Sequence, residues 1–93
     1  MIACTVEFFG VARLVAGTHR MALDLEADAT FAHAFAALVR QRPALTGTVI
    51  AGEGSRLAEG YACCRNGLEF VRSPAARVNG GDLIAILSAD AGG

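Results

Sequence analysis

A chain of 93 residues, 54% of them hydrophobic, is one domain with enough apolar material for a core. The net charge is -1 and the signs are interleaved, which argues against the concentrated basic face that nucleic-acid binding requires. All eight basic residues are arginine, so no side-chain amine here can form a Schiff base or accept an isopeptide bond.

Residues 2–9 alternate, with Ile2, Cys4, Val6 and Phe8 on one face and Thr5 and Glu7 on the other. Period two predicts a half-buried strand that Gly10 ends. Residues 11–17 read as a turn region in which Leu14 and Val15 cap one end of the core. Residues 20–25 alternate again, with Met21, Leu23 and Leu25 inward, so the first two strands form a hairpin. The period then changes. Phe31, Ala34, Phe35, Leu38 and Val39 fall on one helical stripe, with Asp28 or Thr30 as N-cap and Pro43 as the stop. Burying the four large side chains of that stripe is worth on the order of 6–12 kcal/mol before entropy.

Residues 45–60 are divided by four glycines, and 48–51 fit a short strand or a helical turn equally well. Residues 61–65 and 68–71 read as strands joined by Asn66-Gly67, a strong hairpin-turn signal. Ser73-Pro74 marks a loop, and Val78-Asn79-Gly80-Gly81-Asp82 a second tight turn. Residues 83–87, Leu-Ile-Ala-Ile-Leu, are apolar on both faces, as a central strand should be. After them come small residues, ending in Gly92-Gly93. A glycine tail can pass through a channel too narrow for a side chain.

The order hairpin, helix, irregular segment, hairpin, strand fits an α+β fold of the ubiquitin-like β-grasp type. It has a mixed sheet of four to five strands with one main helix across one face. The expected division is a domain over residues 1–88 and a flexible tail over 89–93. Three cysteines, two of them adjacent, do not make a secreted disulfide framework. The start has no basic n-region, Glu7 interrupts its apolar run, and no run is long enough to span a bilayer. A cytoplasmic, reduced protein with no membrane and no nucleic-acid partner is therefore expected. His19 and His33 lack metal-ligand spacing, so no metal site is expected. Gly52-Glu53-Gly54-Ser55 lacks the lysine of a phosphate loop, and no catalytic constellation can be picked out.

Three stretches carry a resemblance to the MoaD/ThiS sulfur carriers, in particular the small subunit of molybdopterin synthase. Residues 8–17, Phe-Phe-Gly-Val-Ala-Arg-Leu-Val-Ala-Gly, are similar to that family's first-strand exit. Cys64-Arg65-Asn66-Gly67 resembles its Val-Asn-Gly-type hairpin, and residues 80–87 resemble its last turn and strand, followed here by Gly-Gly. The tail departs from the usual pattern: Asp90 and Ala91 precede Gly92 where prolines are common, leaving it less stiff.

The resemblance implies a carrier rather than an enzyme. A partner similar to ubiquitin-activating enzymes would use ATP and magnesium to adenylate Gly93, and sulfur would then replace AMP to leave a thiocarboxylate. No cofactor would be bound by this chain. The acceptor would be the molybdopterin precursor held by the large subunit of molybdopterin synthase. A ThiS-like donor is the alternative within the class, and a β-grasp interaction module with an inert end is the alternative outside it. Gly92, Ala91 and Asp90 would thread into the partner, and residues 89–93 reach roughly 16–18 Å when extended. Partner contacts are expected on the sheet face opposite the helix. Candidates there are Phe9, Leu68, Phe70 and one face of the last strand, either Leu83, Ala85 and Leu87 or Ile84 and Ile86. The other reading of these side chains is that they complete the core.

Overall fold

Strand β1 (Ile2–Phe8) turns Cys4, Val6 and Phe8 into the core, and β2 (Arg20–Leu25) does the same with Met21, Leu23 and Leu25. They pair antiparallel from Ile2↔Leu25 to Glu7↔Arg20. The structure, a computed structural model, describes residues 1–89.

The connection between these strands is a short helix, α1 (Val11–Ala16), not the expected turn region. Ala12 and Ala16, one helical turn apart, are buried. Their small side chains let the helix lie close against the sheet. Gly17 closes it in the left-handed conformation, φ 73°, and donates its N–H to the Arg13 carbonyl at 3.0 Å. The role expected of Leu14 also changes. It points to solvent, and only Val15 packs partly on the core.

The main helix, α2 (Phe31–Gln41), buries Phe31, Ala34, Phe35, Ala37 and Leu38, with Val39 partly covered. Thr30 is its N-cap, and the Thr30 N–H donates to His33 Nδ1 at 2.9 Å. His33 thus satisfies a backbone donor at the helix start. Pro43 opens a single 3-10 turn (Pro43–Leu45) after Arg42.

Beyond that turn the chain forms neither a strand nor a helix, yet it is not loose. Leu45, Val49 and Ile50 are fully buried. The segment doubles back on itself: the Ala51 N–H donates to the Arg56 carbonyl at 2.9 Å and the Ala58 N–H to Val49 at 2.8 Å. The glycines of residues 45–60 supply bends around a buried apolar anchor.

Strands β3 (Tyr61–Arg65) and β4 (Glu69–Val71) form the second hairpin. Its turn has positive φ at both Asn66 (55°) and Gly67 (69°), the conformation that the Asn-Gly pair is suited to. Strand β5 (Leu83–Ser88) lies between β1, to which it is parallel, and β3, to which it is antiparallel. The sheet order is β2-β1-β5-β3-β4, so the last strand is the central one, as its apolar run predicts.

Candidate functional site at the end of the central strand

The chain leaves the sheet from its middle. β5 ends at Ser88, and the Ala89 N–H donates to the Gly60 carbonyl at 2.7 Å. The first residue assigned to the tail is therefore fastened to the start of β3. Asp90, Ala91, Gly92 and Gly93 lie outside the described residues.

Register decides which side chains surround this point. Ile84 and Ile86 pair with Val6 and Phe8 of β1, all four pointing inward. At 1% and 0% exposed, both isoleucines belong to the core and are unavailable to a partner, which corrects their place among the contact candidates. Alternation sends Leu83, Ala85 and Leu87 to the open face, where each is half-buried. Ala62 lies opposite Leu87, and Cys64 lies between Ala85 and Phe70. The β5-β3-β4 half of the open face is thus apolar. The β1-β2 half carries an ion pair between Glu7 and Arg20.

The Phe9 N–H donates to the Ile86 carbonyl at 3.1 Å, which puts Phe9 level with Leu87 at the chain exit. Its ring stacks edge-on against His19 at 5.3 Å. Phe70 is 60% exposed. Leu68 is 88% exposed but sits at the β3–β4 turn, at the pole of the sheet away from Ala89. The structure therefore gathers Phe9, Leu87 and Phe70 on the exit side and leaves Leu68 apart. Ala62, Cys64 and Gly60 were not singled out from sequence. Only the β3–β5 register, which periodicity does not reveal, places them there.

The described residues contain no group of three or more His, Cys, Asp or Glu that could hold a metal ion. His19 Nδ1 lies 3.0 Å from the Phe8 carbonyl, to which it donates, and Nε2 is 3.7 Å from Glu7. The thiols of Cys63 and Cys64 face opposite ways. Cys63 is buried and donates to the Val71 carbonyl at 3.4 Å, while Cys64 is half-buried on the open face. Burial, reinforced by the neighbouring Cys64, pushes the Cys63 thiol up to about 11. Burial, then the charges of Asp82 and Asp24, does the same for Cys4.

Those shifts have a consequence for alkaline stability. The raised folded-state values mean that the stabilising effect of keeping both thiols neutral is complete below the ordinary thiol range. It is lost as pH rises from about 9 to about 11, up to roughly 2 kcal/mol per thiol. Urea titrations at pH 8 and pH 10.5 should show this loss, and Cys4→Ala with Cys63→Ala should flatten it. Native protein at neutral pH should react with a thiol reagent at Cys64 first.

A five-stranded mixed sheet with its C-terminal strand at the centre and one main helix across it defines the class: a ubiquitin-like β-grasp protein. SAMP1 from Haloferax volcanii superimposes with a TM-score of 0.82 at 30% identity, over 98% of this chain and 99% of that one. Molybdopterin converting factor subunit 1 from Pyrococcus furiosus gives 0.76 at 18% identity over 95% and 98%. SAMP1 from Methanosarcina acetivorans gives 0.73 at 23% over 100% and 98%. The last two likenesses speak for the fold alone. No protein-family model matches the chain, and no curated protein matches its sequence. The chain belongs to the MoaD/ThiS-like family of ubiquitin-fold sulfur carriers, with SAMP1. Such a carrier works with an activating enzyme or partner subunits. No helix among the described residues is long and apolar enough to cross a membrane.

Proposed function

We propose that this carrier delivers sulfur for molybdopterin, and so molybdenum cofactor, biosynthesis, with Gly93 as the reacting residue. The observation that carries the reading is the course of β5. A rigid central strand ends at Ser88, beside an apolar patch, and the residues that follow are small or short. An α-carboxylate with a pKa near 3.3–3.7 is an anion at neutral pH and a poor electrophile. A partner enzyme with magnesium and ATP would convert it to an acyl-adenylate, releasing pyrophosphate. A partner's persulfide sulfur would then displace AMP to form an acyl disulfide, and a second thiol would cleave its S–S bond, leaving the thiocarboxylate on Gly93 and a disulfide between the two thiols. Phe9, Leu87 and Phe70 would seat the partner, and Asp90, Ala91 and Gly92 would thread toward its active site. The sulfur acceptor would sit in the large subunit of molybdopterin synthase. This chain would bind no cofactor of its own.

A second reading has one observation in its favour: the 30% identical neighbour is named a small archaeal modifier protein. In that role the activated Gly93 would join an amine of another protein, since this chain has no lysine. Intact-mass measurement distinguishes the two. After incubation with the activating enzyme, magnesium-ATP and a sulfur source, the chain should gain the mass of one sulfur less one oxygen. Sulfur should then pass to molybdopterin when the large synthase subunit and precursor are added. No mass gain sinks the carrier chemistry. A gain with no transfer, together with adducts on other proteins, moves the assignment to the modifier reading.

A further inference from the structure

At the β3–β4 end of the sheet lies a half-open groove of about 770 Å³, whose lining joins helix-side residues to Ala62, Phe70 and Leu87 of the patch described above. Phe31 and Phe35 of α2 form one wall, Tyr61 and Val71 the other, and Leu57 closes it. Ala89 lines it as well, where the chain leaves the sheet. The groove is not electrically neutral. Arg56 and Arg72 line it and no aspartate or glutamate does, in a chain whose acids outnumber its bases by nine to eight. Arg56 is half committed, donating from Nε to Glu53 at 2.7 Å, and this bond holds the Glu53 carboxyl below its usual range. Arg72 is exposed and makes no ion pair among the described residues. Beside it β4 is an edge strand, paired on one side only, by β3.

We propose that this groove is a docking site for an extended acidic segment of a partner protein. The occupant places an aliphatic side chain against the half-buried Leu57, Tyr61 and Val71 and sets a carboxylate against Arg72. A cationic apolar segment would fill the same space but meet the unpaired charge of Arg72, and a neutral one would leave Arg72 unused. Alternation along an extended segment suits the geometry, since every second side chain can point inward while those between meet the rim. On the open sheet face the one arginine of β1 and β2, Arg20, is already paired with Glu7. The groove shares Phe70 and Leu87 with the proposed partner seat, but its binding does not involve the chemistry at Gly93, so the Arg72 variant and the Gly93 variants test the two assignments separately.

The test is an NMR titration of the full ¹⁵N-labelled chain with a capped octapeptide alternating leucine and aspartate. Expected are saturable shifts of the Tyr61, Val71 and Arg72 amides. Binding should weaken on the order of tenfold in Arg72→Glu, a solvent-exposed position whose reversal leaves spectral dispersion intact. Alanine in place of leucine in the peptide should abolish binding. Three results overturn the proposal: no shifts at millimolar peptide, equal binding when lysine replaces aspartate, or shifts confined to Leu83, Ala85 and Cys64. Thiocarboxylate formation by Arg72→Glu, measured in parallel, should match the parent chain.

Discussion

Adding one residue after Gly93, or replacing it in Gly93→Phe, should abolish thiocarboxylate formation while leaving the unfolding free energy within about 0.5 kcal/mol of the parent. The argument is one of reach and access. From Ala89, where the Gly60 carbonyl fastens the chain, four residues extend at most about 13–14 Å. The acyl carbon must arrive in line with a phosphate held by another protein. An extra residue carries the carboxylate past that point, and a bulky side chain blocks a passage that glycine would fit. Misplacement at this scale removes the advantage of proximity, so a loss of at least about a hundredfold is expected. Intact-mass analysis beside a urea titration reads both quantities. A fully active extended variant would show that the reacting group is elsewhere, and the carrier assignment at Gly93 would be withdrawn.

The sequence made the scaffold legible because its periodicities are unmixed. Ile2, Cys4, Val6 and Phe8 face one way without exception, and the stripe from Phe31 to Leu38 has no competing pattern. The doubly apolar run 83–87 identified the central strand, but could not say which of its faces was inward. That depended on register with β1, a long-range property absent from local composition. Ile84 and Ile86 fell to the core for this reason alone. Helix α1 escaped notice because a six-residue helix leaves too few turns for a stripe. Its two buried residues are alanines, and its large residues Val11 and Leu14 face solvent. Residues 45–60 hid a buried anchor because their glycines signal bends without saying what the bends enclose. The groove could not be read at all, since Phe35, Leu57 and Val71 meet only once three separate elements are packed.

The same limit applies to Asp82, which the sequence offered only as the last residue of a turn. It is a buried carboxylate, and replacing it should be among the most damaging changes in the described fold. Its Oδ1 accepts from Asn66 Nδ2 at 3.1 Å and its Oδ2 from the Asn79 N–H at 2.8 Å. Arg65 Nε stands 3.5 Å from Oδ2, buried and otherwise without a hydrogen-bond partner. The Arg65 side chain is only 16% exposed; it lies over the Phe31 ring at 5.0 Å and donates from Nη2 to the Arg77 carbonyl. Asn66 in turn accepts from the Leu83 N–H at 2.7 Å. One carboxylate thus ties the β3–β4 turn, the turn before β5 and α2 to each other.

Asp82→Ala removes the buried counter-charge and leaves a mostly buried guanidinium facing only the exposed Glu69, whose Oε1 lies 3.5 Å from Nη1, with two further donors unpaired. The expected loss is about 3 kcal/mol, because a buried charge left with only a solvent-exposed partner costs more than the intact pair contributes. For a domain of this size that lowers Tm by about 12 °C or more. Asp82→Asn should fall between, since an amide oxygen can replace one acceptor but not the charge. Arg65→Met combined with Asp82→Ala should recover part of the loss, because the double variant no longer buries a cation. Urea titration of the parent, Asp82→Ala, Arg65→Met and the double variant gives the coupling directly. A loss below about 1 kcal/mol in Asp82→Ala would mean that Arg65 finds water or another acceptor, and that the turns hold without this tie. Because Asp82 precedes β5 and Ala89 follows it, the anchor and the exit lie at opposite poles of the sheet. At a temperature where Asp82→Ala remains folded, its thiocarboxylate yield should therefore equal the parent's, which separates holding the fold from carrying the sulfur.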